Sequence, residues 1–171
     1  MKIKTLLFVM TVFVMIGCAQ EGKHVNYHGN GKIMSVDFFK DGKLDSTSLR
    51  YYPSGNLKSE SNYKDGKLKG YLKTYWENGN VKSESFFKNG GEDGEIRSWY
   101  ENGQLSTIDY RVSGIQHGSA KSYYKNGNIR HEGQNKYGAK TGVWKFYYED
   151  GTLDREEEYL HGKMIKTSEG M

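Results

Sequence analysis

A single cysteine, Cys18, stands in this chain of 171 residues, so no internal disulfide can hold the fold together. Proline is equally scarce, Pro53 alone, which leaves nearly every backbone N–H free for hydrogen-bonded ladders. Apolar residues reach only 35% and the mean hydropathy is −0.84, too little for a thick globular core. No apolar run is long enough to cross a bilayer as a helix: Thr5–Ile16 has 12 residues, where roughly 20 are needed. Neither sign of charge dominates. The formal net charge is +4, of which Lys2 and Lys4 supply two, so the rest is too nearly balanced to imply nucleic acid.

What the chain has in abundance is glycine (22) and tyrosine (14), and both recur in register. The unit is Tyr75-Trp76-Glu77-Asn78-Gly79-Asn80-Val81. It returns with close substitutes at residues 51–57, 99–105, 123–129 and 147–153, and in a degenerate copy at 27–33. Its glycines fall at 31, 55, 79, 103, 127 and 151, a step of 24 residues without insertion. Fixed self-similarity of this length is the signature of a repeat architecture.

Two further glycine columns share the period. One runs through 42, 66, 90, 114, 138 and 162; the other, through 70, 94, 118 and 142, follows it by four residues. The residues before the first column are Asn30, Ser54, Asn78, Asn102, Asn126 and Asp150. Asn-Gly and Asp-Gly favour type I′ hairpin turns. Turn signals thus alternate at 11 and 13 residues, and the segments between them are strand-sized. The expected fold is all-β: an elongated antiparallel β-meander of consecutive hairpins, two strands per 24-residue repeat. The third glycine column marks a bulge or a close backbone approach.

Alternation assigns Leu72, Thr74 and Trp76 to one face and Lys73 and Tyr75 to the other. The later repeats follow suit, and the leading aliphatics Leu57, Val81, Leu105, Ile129 and Leu153 are expected to point away from pairs such as Lys82/Glu84. Residues 105–111 break parity, because Leu105 and Ile108 cannot both face inward on a regular strand. A bulge or an exposed patch is expected there. The second face carries a recurrent cation and aromatic, Lys73-Tyr75, Arg97-Trp99, Lys121-Tyr123 and Lys145-Tyr147, extended by Tyr51. This ribbon is the candidate binding strip, suited to a protein or glycan partner.

No catalytic pattern emerges. The histidines at 24, 28, 117, 131 and 161 follow no repeat column and read as surface or turn residues. The recurrent glutamates Glu60, Glu84, Glu132 and Glu156 read as charge balance opposite lysine and arginine. Glu156-Glu157-Glu158 alternate in direction and cannot converge on a cation. The expectation is a non-catalytic protein with no cofactor and no metal.

Residues 1–17 read as a signal peptide, with Lys2 and Lys4 ahead of the apolar run. Met15-Ile16-Gly17-Cys18 resembles the lipobox of bacterial lipoproteins, which implies lipidation of Cys18 and a membrane anchor. Residues 18–26 then form a short lipidated tether, and 27–171 hold six repeats. With Ala19 after the cysteine, the resemblance favours the outer membrane.

The repeat itself resembles the MORN repeat variant of bacterial envelope proteins, best at Gly70–Val81, Gly94–Leu105, Gly118–Ile129 and Gly142–Leu153, and in form it is similar to the YwqK-type antitoxin family. Ser46 departs from the third glycine column, and Arg111 and Asn135 stand where an aromatic closes the second strand elsewhere. The resemblance implies a lipid-anchored scaffold or binding module of the cell envelope or, alternatively, an antitoxin or immunity protein of a toxin–antitoxin pair.

Overall fold

The computed structural model describes residues 20–170, so residues 1–17, read above as a signal peptide, and Cys18 lie outside the described residues. The strands are β1 (Gly22–Tyr27), β2 (Ile33–Lys40), β3 (Lys43–Leu44), β4 (Ser46–Tyr51), β5 (Leu57–Lys64), β6 (Lys67–Tyr75), β7 (Val81–Lys88), β8 (Gly91–Glu92), β9 (Gly94–Trp99), β10 (Leu105–Val112), β11 (Ile115–Tyr123), β12 (Ile129–Lys136), β13 (Ala139–Tyr147), β14 (Leu153–Leu160) and β15 (Lys163–Glu169). They form one antiparallel sheet in chain order, and the short β3 and β8 pair with β2 and β7. The meander of hairpins is the one expected. Residues 22–26, assigned above to a tether, belong instead to β1, where Val25 pairs with Val36 and the His24 ring meets the edge of Phe39.

The two ends of the hairpins turn differently. At the second glycine column, two-residue loops such as Asp65-Gly66 put both residues at positive φ, the type I′ geometry. Ser113, Tyr137 and His161 accept the same conformation in the later repeats. The first column was expected to do likewise and does not. Asn78 is not among the positive-φ residues, while Gly79 is, at 91°. Gly79 N–H donates to Trp76 O at 3.0 Å and Trp76 N–H to Asn80 O at 2.8 Å, the three-residue loop closed by a left-handed glycine. Side-chain chemistry explains the choice. Asn78 Oδ1 accepts from Asn80 N–H at 2.9 Å, and Asn78 Nδ2 donates to Glu101 O in the next turn at 2.9 Å. Asn126 bonds Asn128 N–H and Glu149 O in the same way. The turns are stacked by an asparagine ladder.

Each such turn is followed by one extra residue on the returning strand. Tyr75 pairs with Val81 and Thr74 with Ser83, leaving Lys82 unopposed; Ser106 is the equivalent after Leu105. This bulge corrects the face assignment. Val81 and Glu84 share a face, as do Leu105 and Ile108, because the extra residue reverses the alternation. The bulge expected at residues 105–111 is therefore one instance of a general feature. The third glycine column carries its own shift: Ser61 pairs with Leu72 but Tyr63 with Leu68, so the strand around Gly70 is longer than its partner. Ser46 takes the same left-handed backbone, φ 95°.

Register then defines two faces. One carries the cross-strand row Leu49, Glu60, Lys73, Glu84, Arg97, Ile108, Lys121, Glu132, Lys145, Glu156, a largely alternating charge ladder. The other carries Ser59, Thr74, Ser83, Ser98, Thr107 and Ser122 on successive strands of the main path, a ladder of hydroxyls. The core is thin: among the described residues the buried apolar side chains are Val36, Ala120 and Trp144, beside Ser35, Ser48, Ser61, Ser85 and Ser122.

With so little apolar burial, the repeats are held by pairing and by a staple that sequence reading missed. Trp76 and Tyr100 were expected to pack in an apolar set with Leu72, Ile96, Trp144, Phe146 and Tyr148. Instead Tyr52 Oη donates to Tyr75 O at 2.7 Å, Trp76 Nε1 to Trp99 O at 3.1 Å, Tyr100 Oη to Tyr123 O at 2.7 Å and Tyr124 Oη to Tyr147 O at 2.8 Å. Each ties one repeat to the next, the nearest-neighbour coupling on which linear arrays depend.

Candidate binding surfaces

The ribbon residues Tyr51, Tyr75, Trp99, Tyr123 and Tyr147 lie on the charge face, all half-buried. Each pairs with the leading aliphatic of the returning strand, as Tyr75 does with Val81. Two of the phenols are engaged, Tyr75 Oη with Glu60 at 3.2 Å and Tyr147 Oη with Glu132 at 3.1 Å. The lysines are engaged as well: Lys73 bridges Glu84, Lys121 meets Glu132 at 2.8 Å and Lys145 meets Glu156 at 3.1 Å. These contacts raise all three ammonium pKa values, the hydrogen bond to glutamate being the main cause. Glu132 is held below the ordinary carboxylate range first by Lys121 and also by Tyr147. Most of the strip is thus a self-neutralised ladder.

Arg97 and Trp99 are the opening in it. Arg97 is exposed and bonds Glu95 on its own strand, at 2.5 Å, rather than its cross-strand partner Glu84. Trp76 and Trp144 each spend their indole N–H on a backbone carbonyl; the Trp99 indole makes no such bond among the described residues. Beside Arg97 lies a cleft of about 400 Å³ lined by Tyr71, Glu84, Phe86, Asp93 and Glu95. Tyr71 (66% exposed) and Phe86 (37%) meet edge to face at 5.1 Å across its wall. Sequence reading did not single out this pair, although parity places Tyr71 two residues before Lys73 on the same face.

The hydroxyl face changes character toward the C-terminal repeats. Trp144 lies flat on Gly133, where an added Cβ would overlap its ring, and donates Nε1–H to Gln134 O at 3.0 Å. His131 was expected at the surface. It is instead half-buried, with Nδ1 2.8 Å from Ser122 Oγ and its ring between Trp144 and Phe146. Burial lowers its pKa, with Arg130 and Lys140 adding to the effect, so the ring is neutral near pH 7. Its contacts all come from other strands, which no linear motif could reveal. A cleft of about 550 Å³ opens beside it, between β10 and β13.

Among solved structures, a chain in the crystal structure of TcdB2-TccC3-Cdc42 is similar over 82% of this chain and 10% of its own length, at 14% identity and a TM-score of 0.27. This chain therefore spans about a tenth of that one. Among curated proteins none matches. The model of the MORN repeat variant matches residues 20–41, 44–65, 66–89, 92–110, 116–134 and 140–161, six copies that coincide with the hairpins described above. The chain belongs to the MORN repeat variant family.

Proposed function

We propose that the chain is a non-catalytic binding module of the bacterial envelope, anchored through lipid on Cys18, whose charge face receives a protein partner at Arg97 and Trp99. The observation that carries this reading is the gap in the charge ladder. Lys73, Lys121 and Lys145 spend their charge on cross-strand glutamates, while Arg97 turns from its cross-strand partner to Glu95 on its own strand, beside an indole N–H with no acceptor among the described residues and an open Tyr71/Phe86 pair. Tryptophan, tyrosine and arginine are the side chains that concentrate binding energy at interfaces. The flanking ribbon of Tyr51, Lys73, Tyr75, Lys121, Tyr123, Lys145 and Tyr147 supplies a flat, charge-balanced rim. The anchor follows from the lipobox resemblance. With Ala19, Gln20 and Glu21 alone between Cys18 and β1, the sheet would stand within about 10–15 Å of the lipid, in the outer membrane.

The test is a crosslinking pull-down from intact cells with wild-type protein and an Arg97→Ala/Trp99→Ala variant, each checked for thermal stability. The expected result is one partner recovered by the wild type and lost with the variant at an unchanged melting temperature. Recovery of the same partner by both would overturn the assignment of the surface. A toxin as the recovered partner would make the module an immunity protein. Cys18→Ser should release the protein from membranes; wild-type protein found soluble and uncleaved would refute the anchor.

A further inference from the structure

The cleft on the hydroxyl face opens where the repeat breaks its own pattern at Asn135. In the other repeats the residue closing the second strand on this face is Phe39, Tyr63, Phe87 or Tyr159; here it is Arg111 and then Asn135. The missing ring leaves a cleft of about 550 Å³, with Asn135 and Asp109 among its lining residues. Such a volume suits a small organic ligand.

The polar groups around it are arranged for use. Asn135 is 8% exposed, and its amide, still reached by solvent from the cleft, makes no hydrogen bond among the described residues. Asp109 lines the same cleft with no hydrogen bond or ion pair among the described residues, Arg111 being its nearest charged influence, whereas the carboxylates at the equivalent position in other repeats are satisfied: Asp37 by Ser48 and Arg50, Glu157 by Arg155 and Tyr159. Gln116, the Ser122–His131 pair and the Tyr100 ring complete the wall.

We infer that this cleft is a binding site for a neutral saccharide of one or two sugar units. A carboxylate and an amide together offer acceptors and donors to adjacent sugar hydroxyls, and the aromatic ring offers a surface for the C–H face of the sugar. Lys121, Arg130 and Lys140, which also line the cleft, would repel an ammonium ion, and Asp109 is the one carboxylate among them; an anion is the competing ligand, which inorganic phosphate tests below. Lys140 is itself enclosed by the rings of Trp144, Phe146 and Tyr159 at 4.5, 5.1 and 4.7 Å. The site is on the face opposite Arg97 and Trp99, so it stands or falls independently of the protein-binding surface.

The test is an NMR titration of the full processed chain with methyl glucoside, methyl galactoside, N-acetylglucosamine, maltose and chitobiose. One or more of these should shift the Trp144 indole resonance and the backbone amides of β10–β13 saturably. Asn135→Phe, which restores the ring used in other repeats and fills the cleft, should abolish the shifts. Asp109→Asn should weaken binding by about tenfold or more, the expected loss for a hydrogen bond to a charged group. Should Asn135→Phe fail to fold, Asp109→Asn decides alone. No saturable shift with any of the sugars would overturn the inference. So would equal binding by wild type and Asp109→Asn, or inorganic phosphate shifting the same resonances more strongly than any sugar.

Discussion

The two faces of this sheet share the same strands and the same period, yet they differ in how faithfully the repeat is kept. On the charge face the row from Glu60 to Glu156 alternates sign almost without interruption, the exceptions being Ile108 and the displaced Arg97. On the hydroxyl face one column runs Asp37, Ser61, Ser85, Asp109, Gly133 and Glu157, changing character from copy to copy. A side chain kept in every copy is doing something each repeat needs, here neutralising its neighbour and joining the hairpins. A departure from the pattern marks either a packing accommodation, as with Gly133 under Trp144, or an opening such as those beside Arg97 and Asn135. The lesson is that in a sheet one layer thick, candidate sites are found where the repeat fails.

That contrast is broken most severely at Gly133. Gly133→Ala would drive a methyl into the Trp144 ring, and its overpacking should cost about 1–3 kcal/mol, read by denaturant unfolding. Ser85→Ala, at the equivalent position, should cost less than half as much; equal losses would show that Trp144 relaxes freely. Next come the staples. Tyr100→Phe and Tyr124→Phe each remove one phenol donor to the following repeat, and each should lower stability by about 0.5–1.5 kcal/mol while leaving circular dichroism unchanged.

The pH response sharpens the same comparison. On the hydroxyl face His131 has its pKa depressed from 6.5 by burial. Charging it opposes folding, so stability should decline as pH falls below about 6.5, and His131→Gln should remove that upper step. On the charge face Glu132 is held below its ordinary 4.5, chiefly by Lys121. Its contribution is complete above 4.5 and is lost as pH falls through the lowered value. Asp37 adds to this acid limb: burial pushes its carboxyl up, but Ser48 and Arg50 together outweigh that and hold it below 3.8. Two limbs in a plot of melting temperature against pH are expected. The smallest effect is a gain. Tyr137 occupies the left-handed region at φ 51° and is 75% exposed, so Tyr137→Asn should raise stability by up to about 1 kcal/mol.

The period, the hairpins, the single sheet and the bulge at the third glycine column were all legible in the sequence, because each depends on glycine at a fixed spacing. The first turn type was not. Asn78 and Asn126 use their side chains to cap their own turn and bind the next, and that chemistry competes with the Asn-Gly preference for a type I′ turn. Nor could alternation alone assign the faces correctly, since the unopposed Lys82 reverses them at every first turn. The ribbon residues were named from the sequence. That the lysines are neutralised, that Trp99 finds no acceptor among the described residues and that Tyr71 and Phe86 stand open beside Arg97 depend on register between strands. The cleft at Asn135 was visible only as an unexplained departure from the aromatic column.

The claim that the charge face carries partner recognition is tested most directly by photocrosslinking in intact cells, one position at a time. A photoreactive residue would replace Tyr71, Phe86 or Arg97 on the charge face, or Thr74, Ser83 or Ser98 on the hydroxyl face of the same hairpins. The account expects the same partner adduct from all three charge-face positions and none from the other three. Adducts confined to the hydroxyl face, or equal from both, would contradict it.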